Sequence, residues 1–234
     1  MSESQPLPKY IQISERLIRE IAAGHFADGA RLPPERELAA DLGIAVGTLR
    51  KSLGDLETKG LLERVQGSGN YVRHKPEVDS VYAFFRLERF AGGGLPTAEV
   101  LSVERLPKPN APDFGPSAEG HRIRRLRRLD ADVVALEEIW LDGGLRNVIT
   151  KADLSDSLYL YYREKLGVVI ASVVDRIGVA ETPDWADGRF GQTAGASVGY
   201  IERIGRTSAG DAVEYSRTWF DMDKARYVSR MGKG

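Results

Sequence analysis

Five arginines crowd one short stretch, Arg122, Arg124, Arg125, Arg127 and Arg128, which opens at His121 and closes on Leu129 and Asp130. A guanidinium group grips a carboxylate or phosphate through paired N–H donors. If the stretch is a strand, alternation sets Arg125 and Arg127 on the side of Ile123 and Leu129. Two cations on a partly apolar face need an anionic partner. On the same reasoning Glu137 shares a face with Val133, Ala135, Ile139 and Leu141, and Glu214 shares one with Ser216, Thr218 and Phe220. Carboxylates on a buried face also need partners. Two outcomes are open: Arg125, Arg127, Glu137 and Glu214 bind a small anion, or they neutralise one another as a structural network.

Other chemistries find little support. The chain has no cysteine and three scattered histidines, His25, His74 and His121, so no disulfide, thiolate, metal site or cofactor is expected. No Ser or Cys nucleophile paired with a base is evident, which argues against an enzyme. No run of about 18 apolar residues exists and the first residues lack a secretory pattern, so no membrane partner and a cytosolic location are expected. The 234 residues, 42% hydrophobic and 29% charged, suit a globular chain of two domains. Bulk charge does not announce nucleic acid: residues 1–75 hold 11 Lys+Arg against 10 Asp+Glu, and the remaining 22 and 24 complete the totals of 33 and 34. A DNA partner must be read from where the cations sit.

Those positions depend on the elements of residues 1–75. Tyr10, Ser14, Leu17, Ile18 and Ile21 recur at helical spacing over 10–23, with Gly24 placed to cap the end. Pro33 and Pro34 open a second helix that ends near Leu42 and Gly43, with Glu35 and Glu37 at its positive end. A third helix carries Val46, Leu49, Leu53 and Leu56 inward until Gly60. Residues 61–65 and 71–73, joined by the tip 66–70 with Gly67 and Gly69, read as a β-hairpin. This order is a winged helix-turn-helix, in which Arg36, Arg50, Lys51, Arg64, Arg73 and Lys75 can share a DNA-facing side. The alternative is a helical bundle whose charges are merely solvated.

The second domain, 76–234, begins with a linker whose boundary falls near Lys75–Ser80. Strands are expected at 98–105, 120–130, 133–142, 168–181, 198–207 and 212–221, with a turn at 209–211 between the last two. A helix fits 157–166, capped by Ser155 or Ser157 and stopped by Gly167, and 183–192 could form another. Strands outnumber helices and follow one another, so the fold class is α+β with an antiparallel sheet and packed helices. Residues 81–90 suit a strand entered from the linker, and the glycine-rich residues 91–94 suit a lid or an exposed loop.

Gly29-Ala30-Arg31-Leu32-Pro33-Pro34-Glu35-Arg36-Glu37-Leu38-Ala39, with Leu42-Gly43, Thr48-Leu49-Arg50-Lys51-Ser52-Leu53, Gly60-Leu61-Leu62 and Gln66-Gly67-Ser68-Gly69, resembles the GntR family of bacterial transcription regulators. The resemblance implies that Arg36, the start of the third helix, Arg50 and the wing glycines approach double-stranded DNA, as a homodimer on a short palindromic operator. Ala45, Val46 and Gly47 stand where the family commonly has a hydroxyl residue, an arginine and a second hydroxyl residue. Ala45, Val46 and the Thr48 methyl are left with apolar base contacts, so an altered operator preference is expected. Residues 80–230 resemble, more loosely, the UTRA effector-binding domain of the HutC-like branch, itself similar to a chorismate lyase. This second resemblance implies that Thr97, Arg125, Arg127, Glu137 and Glu214 line a pocket for a phosphorylated sugar or related anion, with repression released by that effector. Phe220 replaces a common tyrosine and Asp221 a frequent arginine, which alters the expected sugar contacts. A lyase-like enzyme acting on a small carboxylate and a DNA binder without effector are the rival readings.

Overall fold

The stripe of Ile13, Leu17, Ile18 and Ile21 buries one side of α1, Lys9–Ala22, in the computed structural model, which describes residues 7–75, 80–110 and 112–230. The boundary expected at Lys75–Ser80 runs through 76–79, outside the described residues. Two compact units are present: Leu7–Leu95 joined by 227–230, and Pro96–Arg226.

In the first unit α2, Glu35–Asp41, and α3, Val46–Thr58, pack with α1 around Leu38, Leu49, Leu53 and Leu56. Each such side chain, fully buried, stabilises by about 1.5–3 kcal/mol. The turn between α2 and α3 needs Gly43 in the left-handed region, φ +63°. Both helices start without a side-chain cap, because Pro34 and Ala45 occupy their N-cap positions. Ser52 on α3 is buried and its hydroxyl donates to the Tyr10 carbonyl of α1 at 2.8 Å, which pins the two helices together. Strands β1, Leu62–Val65, and β2, Gly69–Val72, form the wing, with Val65 opposite Gly69. The strand expected over 81–90 shortens to two residues, and the loop or lid expected at 91–94 is folded against α1. The short strand is β3, Leu87–Glu88, and Gly93 and Gly94 are buried.

The second unit is one antiparallel sheet of six strands. In chain order they are β4 (Pro96–Pro107), β5 (Glu119–Leu129), β6 (Asp132–Asp142), β7 (Ile170–Glu181), β8 (Ser197–Thr207) and β9 (Ala212–Phe220). Their order in space is β4-β5-β6-β9-β8-β7, so the last hairpin inserts β9 beside β6. Side chains alternate between two faces. Leu126, Leu136, Val198 and Trp219 point to one face, where Trp185 and Phe190 cover them. Ile123, Arg125, Arg127, Glu137 and Glu214 belong to the other. The 157–166 expectation splits into one α-helical turn, α4 (Leu158–Tyr161), and a π turn, Tyr162–Leu166, ended by Gly167 at φ +67°. The Ser157 hydroxyl caps α4 by accepting from the Leu160 N–H at 3.3 Å. The helix considered for 183–192 is not formed; only a 3-10 turn, Gly188–Phe190, is present. Gly191 at φ +83° ends that turn, and the segment's work is to carry Trp185 and Phe190 over the sheet.

Candidate nucleic-acid interface and effector site

On the first unit, Arg50 and Arg64 meet the wing tip across an open cleft of about 400 Å³, lined also by Arg31, Glu35, Gly67 and Gly69. Glu35 accepts from Arg50 Nε at 2.6 Å, which steers this 66%-exposed arginine while using only one of its three nitrogens. Arg64 Nε is 3.3 Å from the Asn70 side-chain oxygen and 4.0 Å from a Glu57 oxygen. Arg73 pairs with Glu63, and Lys75 donates to the Lys59 carbonyl at 3.2 Å. These acidic neighbours explain why the unit's charge is nearly balanced although arginines gather at one cleft.

Gly69 adopts φ +134°, and a Cβ there would approach Arg31 Nε to 2.9 Å. The glycine therefore lets Arg31 lie under the wing, a role that the motif alone did not assign to either residue. Arg36, Ala45, Gly47 and Lys51 are exposed, and among the described residues Arg36 and Lys51 form no ion pair. Val46 is half-buried against the helical core and Thr48 is half-buried. Neither side chain lines the cleft, nor do Arg36, Ala45 and Lys51.

On the sheet, register brings together three of the expected site residues. Arg125 stands opposite Glu137 across β5 and β6. Arg125 Nη2 lies 2.7 Å from one Glu137 oxygen, and Arg127 Nε donates to the other at 3.2 Å. Both guanidiniums also donate to the Asp156 carbonyl, at 3.4 and 3.1 Å. The Asp156 carboxylate turns elsewhere and accepts the Ala98 N–H at 3.0 Å. The Glu137 carboxylate thus serves both buried guanidiniums. Burial pushes the Glu137 carboxyl up, but the charges of Arg125 and Arg127 outweigh it and hold the group below its ordinary range.

Glu214 occupies a different setting. It accepts the Tyr159 hydroxyl at 2.9 Å and the Tyr162 hydroxyl at 2.7 Å. Burial raises its carboxyl above the usual range, although the two hydroxyls and Arg203 oppose the shift. Burial and the Glu214 charge also push both tyrosines up, so they remain donors. Arg203 is tied to Asp175 through two bonds of 2.6 and 2.7 Å. Phe220 lies on the same face as Glu214, and its ring rests over Gly199, where any Cβ would collide with it. Thr97 is not brought to this face. It pairs with Arg128, one step from the Ala98–Arg127 pair, so alternation sends it to the opposite side.

Sequence reasoning missed Asp156, Tyr159, Tyr162 and Arg203. The i, i+3 spacing of the two tyrosines on one helical turn was the available signal for that pair. A main-chain carbonyl such as that of Asp156 leaves no trace in residue type.

A wing beside a short α2–turn–α3 pair, carried with a separate sheet that holds paired arginines, defines a ligand-responsive DNA-binding regulator. The family models agree: "Bacterial regulatory proteins, gntR family" matches residues 9–72 and "UTRA domain" matches residues 91–226. The chain belongs to the GntR family of bacterial regulatory proteins and carries a UTRA domain. It is 58% identical over 226 residues to the HTH-type transcriptional regulator SmoD of Agrobacterium fabrum, covering 96% of this chain and 97% of that one. It is 29% identical to the mannosyl-D-glycerate transport/metabolism system repressor MngR of Escherichia coli K12, with 94% and 95% covered. Among solved structures, the possible transcriptional regulator YydK of Bacillus subtilis shares the fold, with TM-score 0.56, 23% identity and coverage of 97% and 100%. The chain is therefore a DNA-binding transcription regulator, and the relatives it matches are regulators, not enzymes. No helix among the described residues is long and apolar enough to cross a membrane.

Proposed function

We propose that the protein is a repressor that binds a palindromic operator as a homodimer and is released by a small anionic metabolite. The observation that carries the effector reading is the Glu137 carboxylate shared by the buried Arg125 and Arg127. Each guanidinium can hold an oxyanion in two-point contact, and one carboxylate cannot do this for both at once. An incoming carboxylate or phosphate is met at Arg125, whose buried Nε has no hydrogen-bond partner among the described residues, with Glu214 and its two tyrosines available to hydroxyl groups. The name of MngR speaks of mannosyl-D-glycerate, a sugar joined to a carboxylic acid, which is chemistry of this kind. On the DNA side, Arg36, Ala45, Val46, Thr48, Arg50, Lys51, Arg64, Gly67 and Gly69 form the contact set, with Arg31 added from the cleft. We place the working division of the chain after residue 75, with 76–234 as the effector-binding and dimerising part.

Regulation needs only that the effector prefer one arrangement of the dimer, with a coupling of about 1–3 kcal/mol. The test is fluorescence anisotropy against DNA from upstream of the protein's own gene and a scrambled control. It is run near physiological salt, with and without sugar phosphates and small carboxylates. Specific binding released by one anion supports the reading. Release that persists after Arg125→Ala with Arg127→Ala removes the arginine pair from it.

A further inference from the structure

The cleft between α3 and the wing holds more positive charge than its own contacts use. Its lining includes three arginines, Arg31, Arg50 and Arg64, and one acid, Glu35. Every lining residue falls between Arg31 and Asn70, so the cleft is complete within the first unit. Arg50 engages Glu35 Oε2 through Nε at 2.6 Å, and Arg64 engages the Asn70 side-chain oxygen through Nε at 3.3 Å. Among the described residues the Nη groups of both arginines have no hydrogen-bond partner, and the Arg31 guanidinium has neither a hydrogen-bond nor an ion-pair partner. The main chain at Arg31 is fixed all the same. It bridges to Tyr71 of β2, and the Leu32 N–H donates to the Asn70 carbonyl at 2.9 Å.

A DNA phosphate is an anion whose free oxygens suit guanidinium forks with unspent N–H groups. A carboxylate in the same cleft works against that ligand. The bond from Glu35 to Arg50 does little for the fold, because Arg50 is 66% exposed and surface ion pairs contribute little. Its effect falls on what approaches Arg50. A phosphate that takes the Nη pair comes to rest beside the Glu35 charge, and one that takes Nε must displace it. Glu37, two residues along α2, offers a contrast: it is exposed, lies outside the cleft and makes no ion pair among the described residues.

We propose that Glu35 is a resident counter-anion in a phosphate seat formed by Arg31, Arg50 and Arg64. It holds Arg50 in the free protein and competes with the DNA phosphate, which lowers affinity for DNA of any sequence and flattens its dependence on salt. The role of Glu35 rests on the DNA contact set proposed above, in which Arg50 meets the backbone.

The test uses the full chain with Glu35→Gln, which removes the charge but keeps an oxygen that can accept from Arg50 Nε. Anisotropy is read between about 50 and 200 mM salt on upstream DNA and on a scrambled duplex, and each phosphate contact adds about 0.9 to the slope of log affinity on log salt. Glu35→Gln should steepen that slope by about 0.9 and tighten both duplexes together, by about three- to tenfold near 100 mM salt. Glu37→Gln removes the same charge outside the cleft and should stay within about twofold of wild type. Arg50→Ala should flatten the slope by about 0.9. Far-ultraviolet circular dichroism checks that the helices persist, and Glu35→Ser carries the same test should Glu35→Gln not fold. A merely structural Glu35 would weaken DNA binding when replaced, the opposite direction. Unchanged or weaker binding by Glu35→Gln, or an equal gain from Glu37→Gln, overturns the counter-anion while leaving the contact set standing. A wild-type slope in Arg50→Ala overturns both.

Discussion

Replacing Glu137 by glutamine tests whether the arginine pair is built around a single shared anion. The change keeps side-chain size but leaves Arg125 and Arg127, 3% and 4% exposed, beside a neutral amide. Stripping the partner from a buried ion pair costs about 3–5 kcal/mol. The Asp156 carbonyl remains at 3.1 Å from Arg127 Nη1, so the lower end applies, about 3 kcal/mol. A chain of this size loses about 2–4 °C of Tm per kcal/mol, giving a fall of about 6–12 °C. Trp140, Trp185 and Trp219 are the chain's three tryptophans and all lie in Pro96–Arg226, so indole fluorescence follows the sheet unit alone. Inorganic phosphate should then rescue the variant, by about 2.7 kcal/mol when present at a hundred times its Kd, and should stabilise wild type less. The acid limb of stability should change as well. The lowered Glu137 carboxyl contributes stability above the ordinary carboxylate range and loses it as pH falls through its folded value, and the variant lacks that loss. A destabilisation under about 1 kcal/mol, or equal stabilisation of both proteins by phosphate, would refute the shared-anion reasoning.

Glu214 should show the opposite pH behaviour. Its folded carboxyl keeps a proton that the unfolded one gives up, so stability falls as pH rises from the ordinary carboxylate range to the raised folded value. Glu214→Gln should remove this slope, read as urea midpoints by indole fluorescence between about pH 4 and 7. Ala45→Ser supplies the missing α3 cap and should stabilise the winged unit by about 1 kcal/mol, followed by helical circular dichroism; no gain would mean the hydroxyl turns away from the Gly47 and Thr48 N–H groups. Gly199→Ala forces the Phe220 ring from its seat and should cost about 1–3 kcal/mol, with most of the loss recovered by adding Phe220→Leu. Val46→Arg should change the preferred operator sequence, scored by selection from random DNA, and an unchanged preference removes position 46 from base readout.

The elements were legible wherever a residue's chemistry acts locally. Gly43, Gly60 and Gly167 mark turns, the spacing of leucines marks α3, and alternation from Ile123 to Leu129 places Arg125 and Arg127 on the face they occupy. Their pairing with Glu137 was open as one of two outcomes, because alternation gives faces but not distances. Three things were hidden for physical reasons. Residues 91–94 read as a lid or an exposed loop since their glycines suit a coil, and what orders them is a distant arginine seeking carbonyls that every residue possesses. Thr97 depends on register: a single step between strands moves a side chain to the other face. Residues 183–192 carry Pro183, Gly188 and Gly191 yet also apolar residues at helical intervals, and the need to lay Trp185 and Phe190 on the sheet decides the matter.

The spatial order of the strands also fixes a sequence of events in time. Ala135 pairs with Phe220, a partner 85 positions along the chain (220 minus 135), whereas the apolar cluster shared by α1, α2, α3 and the wing draws on residues between Ile13 and Val72. Local contacts close quickly and distant pairings slowly, and domains fold in the order in which they leave the ribosome. The three helices and the wing therefore form first, while the face bearing Glu137 and Glu214 has no form until β9 slots in beside β6. For that interval a newly made molecule holds its helices and wing but not the sheet face on which Glu137 and Glu214 meet their partners.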